Sequence, residues 1–166
     1  NKYFGKNRFL SHSNSENKSK RIRLGYISSD FKEHAVSYLI AKVLETHNRD
    51  EFELFGYSIS SSKLDKMGER TKKAFDVFRE VEKFSDEDIA LKIQKDKIDI
   101  LIDLNGHTKN SRTDIFTYRP AKIQINFLGF PGTMGAEFID YIIADKVLIP
   151  ENQKQFQNID THHGRR

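Results

Sequence analysis

Residues 98–104 read Ile98-Asp99-Ile100-Leu101-Ile102-Asp103-Leu104 and run directly into Asn105-Gly106-His107-Thr108. A short apolar run closed by Asn-Gly reads as a strand buried on both faces, ending in a turn. Such a strand needs cover above and below, and the flanking sequence supplies it. On the N-terminal side, Ser85 stands before Asp86-Glu87-Asp88, an N-cap followed by acids in the positive first turn of a helix over 86–96. On the C-terminal side a helix is expected over 110–117.

The alternation continues in both directions. Ile22, Leu24, Tyr26 and Ile27 form a first strand that stops at Ser28-Ser29-Asp30. From about His34 to His47, Val36, Leu39, Ile40, Val43 and Leu44 recur at three- and four-residue spacing, which predicts a helix with that face inward. Residues 52–59 and 74–81 read as strands, with a helix over 63–74 between them. Ala121–Leu128 and Tyr141–Ile143 are two further strands. Strands alternating with helices imply an α/β fold: a Rossmann-like, mainly parallel sheet with helices on both faces.

Composition narrows the class. The 166 residues suit one domain, and 37% hydrophobic with 31% charged residues is a globular balance. There is no cysteine, so a disulfide framework or a thiolate metal site is out. The histidines (12, 34, 47, 107, 162 and 163) show no metal-ligand spacing. No apolar run approaches the roughly 20 residues a membrane span needs, and no signal-peptide pattern opens the chain. The expectation is a cytoplasmic protein without a metal or a membrane. The net charge of +4 is misplaced for nucleic acid: residues 1–23 hold seven Lys/Arg against Glu16, leaving residues 24–166 at −2.

Ligands of open parallel sheets bind beyond the carboxyl ends of the strands. Three loops with glycine or polar groups fall there: SSDFKEH (28–34), DLNGHT (103–108) and LGFPGTMG (128–135). His34, at the start of a helix, is either a group that accepts a proton or hydrogen-bonds a ligand, or a surface histidine beside Glu33. His107 has Asp103 four residues back; that carboxylate either orients the imidazole or caps the turn. Gly129, Gly132 and Gly135 around Pro131 allow close backbone approach to a ligand, or simply a tight turn. The patterns GxGxxG, GxxxxGK[ST] and GxSxG are absent, which argues against dinucleotide-binding, P-loop and serine-hydrolase chemistry.

Four segments together resemble one family: RLGYISSDFKEHAVSYL (23–39), DILIDLNGHTKNSR (99–112), RPAKIQINFLGFPGTMGAEFIDYIIAD (119–145) and VLIPENQKQF (147–156). In order and spacing they are similar to the protein O-linked N-acetylglucosaminyltransferases, a family that includes SPINDLY-type O-fucosyltransferases. The resemblance implies the first of the two Rossmann-like lobes of a GT-B glycosyltransferase, over 21–156. It implies inverting transfer from a nucleotide sugar to Ser/Thr hydroxyls of proteins, without a metal or other cofactor. The donor expected is UDP-GlcNAc, with GDP-fucose or UDP-glucose as alternatives. By the resemblance, His34 lies at the catalytic cleft with Asp103 and His107. Asn105 and Thr108 line the donor and acceptor side. Leu128, Gly129, Pro131, Gly132 and Thr133 form a further ligand-facing turn, in which Phe130 replaces the usual Tyr.

The same resemblance implies that a C-terminal lobe supplies a lysine and most nucleotide contacts, so these residues alone are expected to be inactive. Residues 1–20 read as a linker following tetratricopeptide repeats, and 157–166 as an unrelated tail. The absence of an initiator Met suggests a partial chain. An exposed lobe surface near Leu128–Phe130 is expected, with possible self-association. The competing reading is a non-catalytic module that binds acceptor peptides or a partner.

Overall fold

The computed structural model describes residues 21–60, 65–130, 132, 134–145 and 149. The expected linker over 1–20 and tail over 157–166 lie outside them, as do Pro131 and Thr133. Strands β1 (Ile22–Ser28), β2 (Phe52–Ser58), β3 (Val77–Glu80), β4 (Ile100–Asp103), β5 (Ile123–Phe127) and β6 (Tyr141–Ile143) alternate with helices α1 (Ala35–Thr46), α2 (Lys66–Lys73), α3 (Asp86–Lys95) and α4 (Asp114–Thr117). The six strands form one sheet in the order β3-β2-β1-β4-β5-β6, and every pairing is parallel. This is the doubly wound order, in which the chain starts at the centre and builds outward both ways.

Strand side chains alternate between two cores. Leu24, Tyr26, Leu54 and Ile102 pack with Val36, Ile40 and Leu44 of α1. Ile27, Phe55, Tyr57 and Leu101 pack on the other face with Ile89, Ala90 and Ile93 of α3 and with Ile115 and Phe116 of α4. Each face thus has its own helical layer, as the unbroken apolar run of β4 requires.

Helix starts follow their caps. Asp65 accepts from Gly68 N at 2.9 Å to open α2, and Ser85 Oγ accepts from Asp88 N at 3.1 Å to open α3. Several ends differ from the sequence reading. The expected helix over 110–117 is confined to 114–117, because Asn110 takes a left-handed φ of 66° and breaks the turn before it. The strand expected over 74–81 spans only 77–80, since Ala74 still closes α2 through bonds to Lys72 O and Thr71 O. On α1, Leu39 and Val43 are exposed, and Ser37 and Ala41 face inward with Val36, Ile40 and Leu44. The inward turn of Ser37 is stabilised by its hydroxyl, which donates to Asp30 O at 2.6 Å. Among the described residues, the exposed large apolar side chains include Tyr38, Leu39 and Val43 on α1 and Tyr141 and Ile143 on β6, whereas Leu128 and Phe130 are half-buried.

A Tyr26–His47 hydrogen bond of 2.8 Å joins β1 to the end of α1. Burial, then the nearby Arg49 charge, holds the His47 imidazole below its ordinary 6.5, while burial pushes the Tyr26 phenol up to about 12. A base depressed in the folded state contributes stability above its unfolded pKa and loses it as the pH falls below that value. The stability difference between wild type and His47→Gln, from urea unfolding, should therefore shrink as the pH drops from 7.5 to 5.5. A difference that is flat or widens contradicts the assignment.

Candidate functional site

Strand order reverses between β1 and β4, so their following chains leave toward opposite faces and open a crevice at the carboxyl ends. Ile27 pairs with Asp103 at that edge, and Leu104 N donates to Ile27 O at 3.1 Å. Beyond it the first two loops meet through one side chain. Asn105, 1% exposed, accepts from Ser29 N at 2.8 Å through Oδ1. Its Nδ2 donates to Ser29 Oγ at 2.9 Å and to Asp30 Oδ2 at 2.8 Å, with Thr108 Oγ1 at 3.3 Å. Truncating a buried amide of this kind leaves partners unsatisfied at about 1–3 kcal/mol each.

Of the two readings of Asp103, the hydrogen bonds found are those of the turn cap. Its Oδ1 accepts from Asn105 N at 2.9 Å and its Oδ2 from Gly106 N at 3.1 Å. Burial pushes its carboxyl above the usual carboxylate range, opposed by those two backbone N–H bonds and by the neighbouring His107. His107 turns instead toward the third loop: Nε2 lies 3.1 Å from Met134 O, and the ring meets Phe130 edge-on at 5.2 Å between centroids.

Glycines let the second and third loops touch. Gly106 has φ +58°, and a Cβ there would sit 2.4 Å from Phe130 Cβ. At Gly129 a Cβ would fall 1.9 Å from Leu104 O. Leu128 takes φ +75° while Gly129 N donates to Phe127 O at 2.9 Å, a γ-turn. Such strain in a non-glycine residue persists only where the surroundings over-determine it. Asn126 reaches the same loop, with Nδ2 3.4 Å from Phe130 O and 3.3 Å from Gly132 O, and its fully buried Oδ1 has no partner among the described residues.

His34 is the N-cap of α1. Its Nδ1 accepts from Val36 N at 3.3 Å and lies 3.9 Å from Asp30 Oδ2, with the side chain 45% exposed. The expected residues Asp103, Asn105, His107, Thr108, Leu128, Gly129 and Gly132 therefore share one contact network, which His34 joins through Asp30. Ser29, Asp30 and Met134 lie within the loops 28–34 and 128–135 expected at the strand ends, where they carried no role of their own, whereas Asn126, inside β5, was not singled out. The signal for Asn126 was a polar side chain in β5 at a register position opposite Asp103. Among the described residues no group of three or more His, Asp or Glu is placed to hold a metal ion, and no helix is long and apolar enough to cross a membrane.

A six-stranded, all-parallel sheet in this order with helices on both faces defines a Rossmann-like α/β fold of the kind found in GT-B glycosyltransferases. The sequence profile of glycosyl transferase family 41 matches residues 2–159, and the chain belongs to that family. It is 44% identical over 131 residues to the probable UDP-N-acetylglucosamine–peptide N-acetylglucosaminyltransferase SEC of Arabidopsis thaliana, covering 79% of this chain and 13% of the relative. The UDP-N-acetylglucosamine–peptide N-acetylglucosaminyltransferase of Caenorhabditis elegans is 42% identical over 138 residues, covering 79% and 12%. A mutant O-GlcNAc transferase from Thermobaculum terrenum superposes with a TM-score of 0.78 at 32% identity, over 82% of this chain and 26% of that one. The chain thus spans about an eighth of the length of these two curated relatives and a quarter of the solved structure.

Gly129→Ala should cost about 1–3 kcal/mol or more, the scale of overpacking against backbone. Gly132→Ala, whose nearest contact would be the edge of the Phe130 ring at 3.2 Å, should cost less than about 1 kcal/mol. Denaturant midpoints of the two variants check this; equal losses contradict the close approach at Leu104.

Proposed function

We propose that this chain forms one wall of an inverting protein O-glycosyltransferase site, completed by a second lobe facing the same crevice. The carrying observation is that the three family-matching loops form a single network at the switch point of the sheet. The printed names of the relatives point to UDP-N-acetylglucosamine as donor and a peptide as acceptor.

Inversion is a single displacement: an acceptor Ser/Thr oxygen attacks the anomeric carbon from the side opposite the diphosphate. The carbon–oxygen bond to the diphosphate breaks, and the hydroxyl proton must leave. His34, half exposed at the crevice edge, is the group offered to accept or steer that proton. The turn at 103–108 and the strained turn at 128–129 present backbone to the sugar. Negative charge developing on the leaving diphosphate needs cationic or helix-terminal stabilisation. On this reading the second lobe supplies it. UDP-GlcNAc fits the family names, and Ser/Thr hydroxyls fit a histidine that handles one proton.

The test pairs this chain with the second lobe of a family member, in one polypeptide or in trans, and follows transfer from UDP-GlcNAc to a Ser/Thr peptide. Transfer with inverted anomeric configuration is expected only when both lobes are present. His34→Ala should then lower the rate by about 10²-fold, the scale for losing a positioned proton-transfer group. Turnover by the chain alone, a retained configuration, or an unchanged rate in His34→Ala contradicts the proposal.

A further inference from the structure

The hydrogen-bonding capacity of the Asn105 side chain is used within the protein, on Ser29, Asp30 and Thr108. It is 1% exposed, so it acts on a ligand only through what it holds. What it holds most tellingly is Asp30. The backbone of Asp30 is fixed from both directions, its N–H donating to Ser28 Oγ at 3.0 Å and its carbonyl accepting from Ser37 Oγ at 2.6 Å. The Asp30 oxygen that accepts from Asn105 is also the one 3.9 Å from His34 Nδ1. Lys32 and Glu33 flank the imidazole in sequence, and Glu33 N is tied to the Asp65 carboxylate at 2.6 Å, on the approach to α2.

His34 Nδ1 therefore faces two groups with opposite demands. The Val36 N–H donates to it at 3.3 Å, which requires a lone pair on Nδ1 and places the proton of the neutral ring on Nε2. A ring in that state cannot take a second proton at Nε2. To accept a hydroxyl proton there, it must first carry its own proton on Nδ1, and a carboxylate is the natural acceptor for that N–H. Asp30 is the carboxylate in place. When the hydroxyl proton arrives at Nε2, the ring holds both protons with one positive charge, opposite the negative charge of Asp30.

We propose that Asn105 is a positioning residue: it pins the Asp30 carboxylate against His34 Nδ1, and Asp30 converts His34 from a helix cap into a ring with a free Nε2. The proposal rests on the reading of His34 as the proton-handling group of the cleft. It differs from a structural clamp in one respect. A clamp needs only the hydrogen bond between positions 30 and 105, whereas a positioning role needs the negative charge at 30.

The double variant Asp30→Asn/Asn105→Asp separates the two. It reverses donor and acceptor, so the bond between the loops re-forms, and residue 105 still accepts from Ser29 N. The carboxylate, however, has moved away from His34. In the two-lobed protein, Asp30→Asn and Asn105→Ala should each lower kcat by about 10-fold or more, with KM for UDP-GlcNAc changing less than about 3-fold. The double variant should regain thermal stability lost by Asn105→Ala but not kcat. In this chain alone, 15N NMR of the His34 ring should show Asp30→Asn and Asn105→Ala both shifting the neutral ring toward the Nε2–H tautomer. Recovery of kcat together with stability in the double variant, or ring nitrogen signals unmoved by Asp30→Asn, overturns the proposal. If the wild-type two-lobed protein transfers nothing, the functional reading fails, and the NMR result still decides this inference.

Discussion

The Asn105 side chain bonds across the place where the strand order turns back on itself, and the cleft depends on that bridge. At a reversal in a doubly wound sheet, the chains leaving the two central strands depart to opposite faces, and no further strand or helix lies between them. Their first residues must satisfy buried backbone groups without a ladder to do it. Here one amide does much of that work, accepting from Ser29 N and donating to Ser29 Oγ and Asp30 Oδ2. A leucine of similar size would fill the space and remove the bonds this amide makes to a backbone N–H and to a buried carboxylate oxygen.

The second constraint is steric. The loop after β5 reaches this network because residues 106 and 129 carry no Cβ. Gly129 lies against the carbonyl of Leu104, and Gly106 against the Cβ of Phe130. The strained Leu128 and the long Asn126 contacts show that the approach is held by surrounding packing rather than by local preference. The buried Asp103 completes the arrangement. Its desolvation opposes ionisation, and the two turn N–H groups it accepts from oppose that penalty. Sheet order, one amide, one carboxylate and two glycines together place the residues of three loops in one network.

Much of the fold was legible because its signals are local. The apolar run at 98–104, the cap at Ser85 and the apolar spacing of α1 each report short-range geometry, and the parallel sheet follows from their alternation. What escaped the sequence was decided by contacts distant in the chain. Leu39 and Val43 carry the period of an inward face, yet Ser37 and Ala41 are buried in their place, and Ser37 finds a partner seven residues earlier in Asp30 O. The spacing of Asp103 to His107 suited either an oriented imidazole or a turn cap, and the left-handed Gly106 settles the carboxylate on the cap. Asn105 and Gly106 announced a turn. That the amide of that turn would bond residues 29 and 30 depends on β1 and β4 being neighbours, which no local pattern encodes.

If the loops at 28–34, 103–108 and 128–135 form one ligand-facing rim, an amide NMR titration of this chain with UDP-GlcNAc will show it. The signals of Ser29, Gly106, Leu128 and Gly129 should move together along one weak saturation curve, while those of Lys95 and Asp96, at the C-terminal end of α3 beside the start of β1, stay still. Shifts centred on Lys95 and Asp96, or rim residues following different saturation curves, would overturn the single rim.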